Sequence, residues 1–137
     1  MQKLIDLAHI RSTTRKIRGI VKKTIQLLKK NGCSEKDMIA CIGPCIKKNS
    51  YEVKNDFFKL FNDKNKKNVN FFTFKKKKIY FDLSEYIKSQ FYENGVKKID
   101  IIRKDTYAPE NNFFSSRRSK KNKHNDYGRN ISAIMIK

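Results

Sequence analysis

The sequence predicts an α+β domain of mixed α/β layers, with helices packed on a mixed sheet, and three observations lead there. An early segment carries apolar residues at helical spacing. Two short apolar runs, at residues 38–43 and 96–103, are too brief for helices, and each borders a glycine turn, Gly43-Pro44 after the first and Asn94-Gly95 before the second. Helical and strand patterns then follow one another without an internal repeat or a Pro/Ser-rich linker.

The elements follow in order. Ile17, Ile20, Val21, Ile25 and Leu28 place one apolar stripe on a helix over residues 17–31, whose other face carries Lys22, Lys23, Lys29 and Lys30. Asn31-Gly32 ends it, with Gly32 as the left-handed cap. After a polar turn at residues 34–37, Met38-Ile39-Ala40-Cys41-Ile42 predicts a buried strand over residues 38–43 that stops at Gly43-Pro44. Val53, Phe57, Leu60 and Phe61 predict a second helix over residues 52–62, and residues 62–70 are polar enough for an exposed connection. Ile79-Tyr80-Phe81 reads as a brief strand. Asp82 followed by Glu85 forms a capping-box-like start for a third helix over residues 83–94, stopped at Asn94-Gly95. Residues 96–103 alternate into a strand, residues 106–112 contain Pro109 and paired Asn and form a loop, and residues 130–136 form a final strand that returns to the sheet.

A length of 137 residues suits one domain or a piece of one: enough for a core, but small for an enzyme that must also wall in a pocket. Hydrophobic residues make up 38% of the chain, with ten Phe and six Tyr, which sets it apart from a disordered chain. Lys and Arg number 33 against 13 Asp and Glu, a net charge of +20 that points toward nucleic acid, an anionic membrane surface or an acidic partner. The pattern weakens that inference. Lys dominates alongside Asn and Ile, the residues that A/T-rich codons specify, and the Lys are spread along the chain, as in Lys22-Lys23, Lys47-Lys48, Lys75 to Lys78 and Lys120-Lys121. A solvated surface explains such charge without a dedicated interface.

Cys33, Cys41 and Cys45, with no signal-peptide pattern and no apolar run long enough to cross a bilayer, predict a reduced, cytoplasmic protein with no membrane span. Cys41 and Cys45 are four apart with no second Cys or His pair nearby, which is not a structural zinc spacing. Cys41 is expected as a small buried residue on a strand and Cys45 as a turn residue.

Several landmarks succeed one another along the chain. They are Ile42-Gly43-Pro44-Cys45-Ile46 with Tyr51-Glu52-Val53, then Tyr80-Phe81-Asp82-Leu83, then Asn94-Gly95-Val96, then Thr106-Tyr107, then Phe113-Phe114-Ser115-Ser116-Arg117-Arg118, and last Gly128-Arg129. In that order they resemble the I-G-P-x-I-x-x-x-x-Y-E-V loop, the F-D-L junction, and the G-V, T-Y, F-F-S-x-R-R and G-R segments of the laccase-domain (polyphenol oxidase) family, the metal-dependent purine nucleoside phosphorylases. The resemblance runs from about residue 16 onward. It implies that residues 1–137 form one N-terminally truncated domain, the C-terminal part of an incomplete laccase-domain-type fold.

The departures bear on function. Where the family has H-A-G-W-R-G before the first helix, this chain reads His9-Ile10-Arg11-Ser12-Thr13-Thr14-Arg15, keeping only His9, one position out of register. The family's N-terminal strands carry another His and a Cys, the chain begins too late to contain them, and none of its three Cys falls at that position. Ser50 stands where a Cys usually precedes the Tyr, and the segment between Arg118 and Gly128 is lengthened by Lys and Asn.

The resemblance implies one zinc ion, historically described as copper, held by two His and one Cys, and cleavage of purine nucleosides by phosphate. Three protein ligands leave one position on zinc open for water or substrate. Here His9 is the candidate ligand, and His124, among Lys and Asn, is expected as a loop residue. Arg117, Arg118 and Arg129 match family positions and are the candidate catalytic residues. A planar guanidinium suits phosphate, which must be held against C1′ while positive charge develops on the sugar. Gly43 and Pro44 would shape a loop near the pocket, and Tyr107 and Phe114 could stack on a purine; a plain turn and core packing are the alternatives.

Three functions follow as alternatives. One is a purine nucleoside phosphorylase acting on adenosine, inosine and related nucleosides, with adenosine deaminase activity as a companion; its partners would be nucleosides, phosphate and a separately encoded N-terminal half. Another is a non-catalytic truncated remnant of that family. The third, a basic nucleic-acid-binding protein, rests on charge alone, without a helix-turn-helix, RNP or zinc-finger pattern.

Overall fold

Aromatic residues scattered between positions 51 and 91 meet in one core. The computed structural model describes residues 19–131. Its elements are α1 (Ile20–Lys30), β1 (Ile39–Ile42), β2 (Glu52–Val53), α2 (Asn55–Lys64), β3 (Phe72–Lys75), β4 (Lys78–Phe81), α3 (Leu83–Glu93), β5 (Lys98–Ile101) and α4 (Ser116–Lys121). Short 3-10 turns stand at Lys48–Ser50, Lys66–Phe71 and Pro109–Asn111. The chain thus has the mixed α+β composition that the sequence predicts. Its described strands form a parallel pair, β1 with β5, and an antiparallel sheet of order β2-β4-β3.

α2 supplies Phe57, Phe58 and Phe61, which helical geometry gathers on one broad face. β3 and β4 pair Phe72 directly with Phe81, and both rings turn toward that face. Phe57 stacks on Phe61 at 4.7 Å, Phe61 meets the Tyr86 ring edge-on at 5.0 Å, and Phe72 lies 4.8 Å from Phe81. Phe61 and Phe81 are fully buried. Each such ring contributes on the order of 2–3 kcal/mol through burial alone. Burial also pushes the Tyr86 phenol above its ordinary pKa, with the charge of Glu93 adding to it. A phenol raised on folding favours the folded state fully below its unfolded pKa of about 10, and that contribution is lost as pH rises through the raised value.

The parallel pair is built differently. α1 buries Val21, Thr24 and Ile25 and packs against α3, which in turn packs against both β1 and β5. Strand alternation sends Ala40 and Ile42 to that covered side, level with Ile99 and Ile101. The helix ends follow the sequence signals. Gly32 takes φ 83° after α1, with the Cys33 amide donating to the Leu28 carbonyl at 3.1 Å. The Asp82 carboxylate caps α3 by accepting from the Glu85 amide at 3.2 Å.

The structure corrects four local expectations. Cys41 lies on a strand as predicted but is exposed, because β1 alternates and only one of its faces is covered among the described residues. Residues 62–70 are not simply an exposed connection. α2 continues to Lys64, a 3-10 turn follows, and Asn68 is buried with its amide donating to the Phe61 carbonyl at 2.7 Å. Val53 belongs to a short strand, and the second helix starts at Asn55 rather than at residue 52. β3 was hidden in the sequence by the lysines that follow it. The expected strand at 130–136 lies outside the described residues from position 132 onward, as does His9.

β3 and β4 turn through Lys76 and Lys77 between the paired Lys75 and Lys78, with φ of 48° and 61°. Both are left-handed, the backbone of a two-residue hairpin turn that favours Asn-Gly, whereas a Cβ there costs about 1 kcal/mol. Replacing Lys76→Asn and Lys77→Gly together should therefore stabilise the protein by about 1 kcal/mol in urea unfolding, whereas a fall in stability would show that the turn carries no such strain.

Candidate functional site

The β1 and β5 register continues past the ends of both strands. The Ile102 amide donates to the Ile42 carbonyl at 2.9 Å, Cys45 bridges to Asp105, and the Thr106 amide donates to the Cys45 carbonyl at 3.2 Å. The Gly43-Pro44 loop and the Thr106-Tyr107 loop therefore run side by side at the carboxyl ends of two parallel strands. Open α/β sheets commonly bind ligands at such ends.

Asp105 ties the two loops together. Its Oδ1 accepts from the Lys47 amide at 3.2 Å and from the Tyr107 amide at 2.9 Å, and its Oδ2 accepts from the Ser50 hydroxyl at 2.6 Å. The Ser50 hydroxyl makes the shortest of these bonds. The Asn111 side chain then donates to the Asp105 carbonyl at 2.9 Å, drawing in the 3-10 turn that follows.

The Phe113-to-Arg118 segment folds onto this pair of loops. Ser115 caps α4 by accepting from the Arg118 amide at 3.3 Å. Arg118 spends its guanidinium on three carbonyls: Nη1 donates to Thr106 at 3.1 Å and to Tyr107 at 2.9 Å, and Nη2 donates to Phe113. Arg117, the next residue along, goes the other way. It donates to the Glu52 carbonyl and stands over the Tyr51 ring at 5.0 Å. The Glu52 carboxylate meanwhile pairs with Lys78 at 2.9 Å and holds that ammonium above its usual pKa.

The remaining candidates lie at the edge of the cluster. The Asn130 side chain pairs with the Phe114 backbone, accepting from its amide at 2.9 Å and donating to its carbonyl at 2.8 Å. A Cβ at Gly128 would collide with the Phe114 ring, so glycine is what lets this segment close over it. Phe114 nevertheless remains 55% exposed. Arg129 donates to the Tyr127 carbonyl and lies 4.1 Å above the Tyr127 ring. Tyr107 is half-buried, with the Lys121 ammonium 5.9 Å from its ring centre. The structure thus brings Gly43, Pro44, Tyr107, Phe114 and Arg118 into one linked set of loops. Arg117 and Arg129 are exposed on their own aromatic neighbours. His124 is exposed as expected, and His9 lies outside the described residues.

An open cleft of ≈ 340 Å³ lies beside this cluster, where Lys47, Lys48 and Arg103 face Asp82 and Glu85. None of the sequence-predicted site residues lines it. No three or more His, Cys, Asp or Glu side chains among the described residues are grouped to hold a metal ion. These residues therefore do not by themselves fit a two-His, one-Cys centre. Asp105 was not singled out from the sequence. The available signal was a carboxylate just before the Thr-Tyr landmark in a chain with few acids, at a position suited to an Asx turn.

Residues 10–137 match the family described as multi-copper polyphenol oxidoreductase laccase. The chain belongs to that family. A purine nucleoside phosphorylase of Rickettsia prowazekii is 34% identical to it over 137 residues, covering 98% of this chain and 56% of the relative. Another, of Rickettsia conorii, is 35% identical over 138 residues with the same coverage. The chain thus spans little more than half the length of these relatives. In structure it is similar to the hypothetical protein YfiH of Bacillus licheniformis, with a TM-score of 0.71 over 80% of this chain and 43% of that one, at 21% identity. That likeness concerns the fold. No helix among the described residues is long and apolar enough to cross a membrane.

The hydrogen bonds of Arg118 make it a structural part of this loop cluster. Arg118→Ala should cost about 2–3 kcal/mol in chemical unfolding, because three carbonyls lose one shared donor, and Arg118→Lys should recover little of it, since one ammonium cannot reproduce the planar fork. Arg117→Ala, at an exposed position, should cost less than about 1 kcal/mol. Equal losses at the two positions would contradict the division of roles.

Proposed function

We propose that the chain forms the C-terminal part of a purine nucleoside phosphorylase domain acting on adenosine, inosine and related nucleosides. What carries this reading is 34–35% identity over 98% of the chain to two proteins of that name. The linking of its family landmarks by Asp105 and Arg118 supports it. In phosphorolysis a phosphate oxygen bonds to C1′ as the N-glycosidic bond breaks, and the bond's electron pair leaves with the purine. The products are ribose 1-phosphate and the free base.

The residues take distinct roles. Arg117 and Arg129 would donate hydrogen bonds to the phosphate, since both are exposed and each guanidinium carries five N–H groups of which few are engaged within the protein, those of Arg129 with the Tyr127 and Gly128 carbonyls and beside Asp126. Arg118 is a positioning residue. Gly43 and Pro44 shape one loop of the pocket, and Tyr107 and Phe114 offer aromatic faces to a purine. A zinc or copper ion would draw on His9 and on ligands from the part of the family domain that this chain does not span. When bound, it would supply a Lewis acid at the nucleoside, and adenosine deaminase activity would depend on it as well.

A second reading, a non-catalytic remnant, is favoured by one observation: where the family has H-A-G-W-R-G this chain keeps only His9, one position out of register. The test uses the chain alone and the chain joined to the unmatched part of the Rickettsia prowazekii relative. Phosphate-dependent release of hypoxanthine from inosine should be at background for the chain alone and should appear in the joined protein. It should then fall about 10- to 1,000-fold in Arg117→Ala or Arg129→Ala. Absence of turnover in the joined protein would favour the remnant.

A further inference from the structure

β1 is apolar at every position, Ile39-Ala40-Cys41-Ile42, a composition suited to a parallel strand covered on both faces. Among the described residues only one is covered. Ala40 and Ile42 are buried, whereas Ile39 is 63% exposed and Cys41 is exposed as well. The neighbouring strand has a different character on that same outer side. Lys98 lies level with Ile39 and Asp100 with Cys41, and both are exposed and charged. β5 therefore suits water on its outer face and β1 does not. The two strands also form a sheet of only two among the described residues, which leaves β1 a free edge beside its apolar row.

A two-stranded parallel sheet is a fragment of an architecture that normally continues and is covered on both faces. The curated relatives supply what could continue it, since 98% of this chain accounts for only 56% of their length. We propose that the β1 edge and its outward row, Ile39 and Cys41, form the docking seam for the part of the family domain that this chain does not span. That polypeptide would add to the free edge of β1 and bury Ile39 and Cys41. The charged outer row of β5 would stay at the rim. The seam rests on the reading of the chain as one part of a larger catalytic domain, but it is tested by accessibility and stability and needs no turnover.

The experiment follows maleimide labelling of Cys41, resolved from Cys33 and Cys45 by peptide mass mapping. It is done in the 137-residue chain and in the same chain fused to the unmatched part of the Rickettsia prowazekii relative. Labelling should be fast in the chain alone and slower on the order of 100-fold in the fusion, as for a residue released only by local opening. A companion variant, Ile39→Lys, should shift the thermal midpoint of the chain alone by no more than about 1 °C, as at an exposed site. In the fusion the same change should lower the midpoint by about 5 °C or more, because a charge is placed in a buried seam. Equal Cys41 labelling in the two proteins would overturn the proposal, as would equal effects of Ile39→Lys. Slow labelling in the chain alone would also overturn it. If that protection depended on concentration, a second copy would be the occupant, and if it did not, the chain's own residues would be.

Discussion

One carboxylate, Asp105, sets the geometry on which the candidate site depends. Two loops leaving the ends of parallel strands have no covalent reason to stay together, and beyond the bond from the Thr106 amide to the Cys45 carbonyl the amides of Lys47 and Tyr107 need a partner. Asp105 fixes both by accepting from Lys47, Tyr107 and Ser50. Three bonds to one ionised acceptor are stronger than neutral ones, each worth about 1.5–3 kcal/mol. Arg118 completes the arrangement from the opposite direction, donating to the carbonyls of Thr106, Tyr107 and Phe113. The loops are thus held by a carboxylate that accepts from N–H and O–H groups and a guanidinium that donates to C=O groups. The aromatic core contributes the platform beneath, since Tyr51, which follows Ser50, packs edge-on against Phe57 and Phe81.

Much of this fold was legible where one local signal and burial agreed. The stripe of α1, the glycine at its end and the Asp82 cap of α3 each have a cause within a few residues, and the structure keeps all three. The errors came where the cause lay outside the local hydrophobic pattern. Asn68 looks like part of a solvated connection, but the carbonyl it serves belongs to Phe61 in the preceding helix. β3 carries its two Phe at alternate positions, yet the four lysines beginning at Lys75 masked a hairpin whose turn takes lysine in a left-handed backbone. Cys41 reads as buried because its neighbours are apolar, and no local pattern tells how many faces of a strand are covered.

The site was partly legible for the same reason. The family landmarks picked out the Gly43-Pro44, Thr106-Tyr107 and Phe113-to-Arg118 segments, which the structure brings together. Adjacency in sequence made Arg117 and Arg118 look equivalent. The short helix that carries them points one at the Glu52 carbonyl beside Tyr51 and the other into the Thr106-Tyr107 loop. Asp105 acts through residues 55 and 58 positions away, a relation that spacing cannot display.

The central claim is that these loops are organised by the protein itself before any ligand binds. Amide hydrogen exchange of the ligand-free chain, read by NMR at Lys47 and Tyr107 and compared with the Asp105→Asn variant, tests it most directly. Both amides should exchange slowly in the unaltered chain, within about tenfold of the β1 and β5 amides, and should lose most of that protection in the variant while the strand amides keep theirs. Exchange of Lys47 and Tyr107 at unstructured-chain rates in the unaltered protein, or protection unchanged by Asp105→Asn, would contradict it.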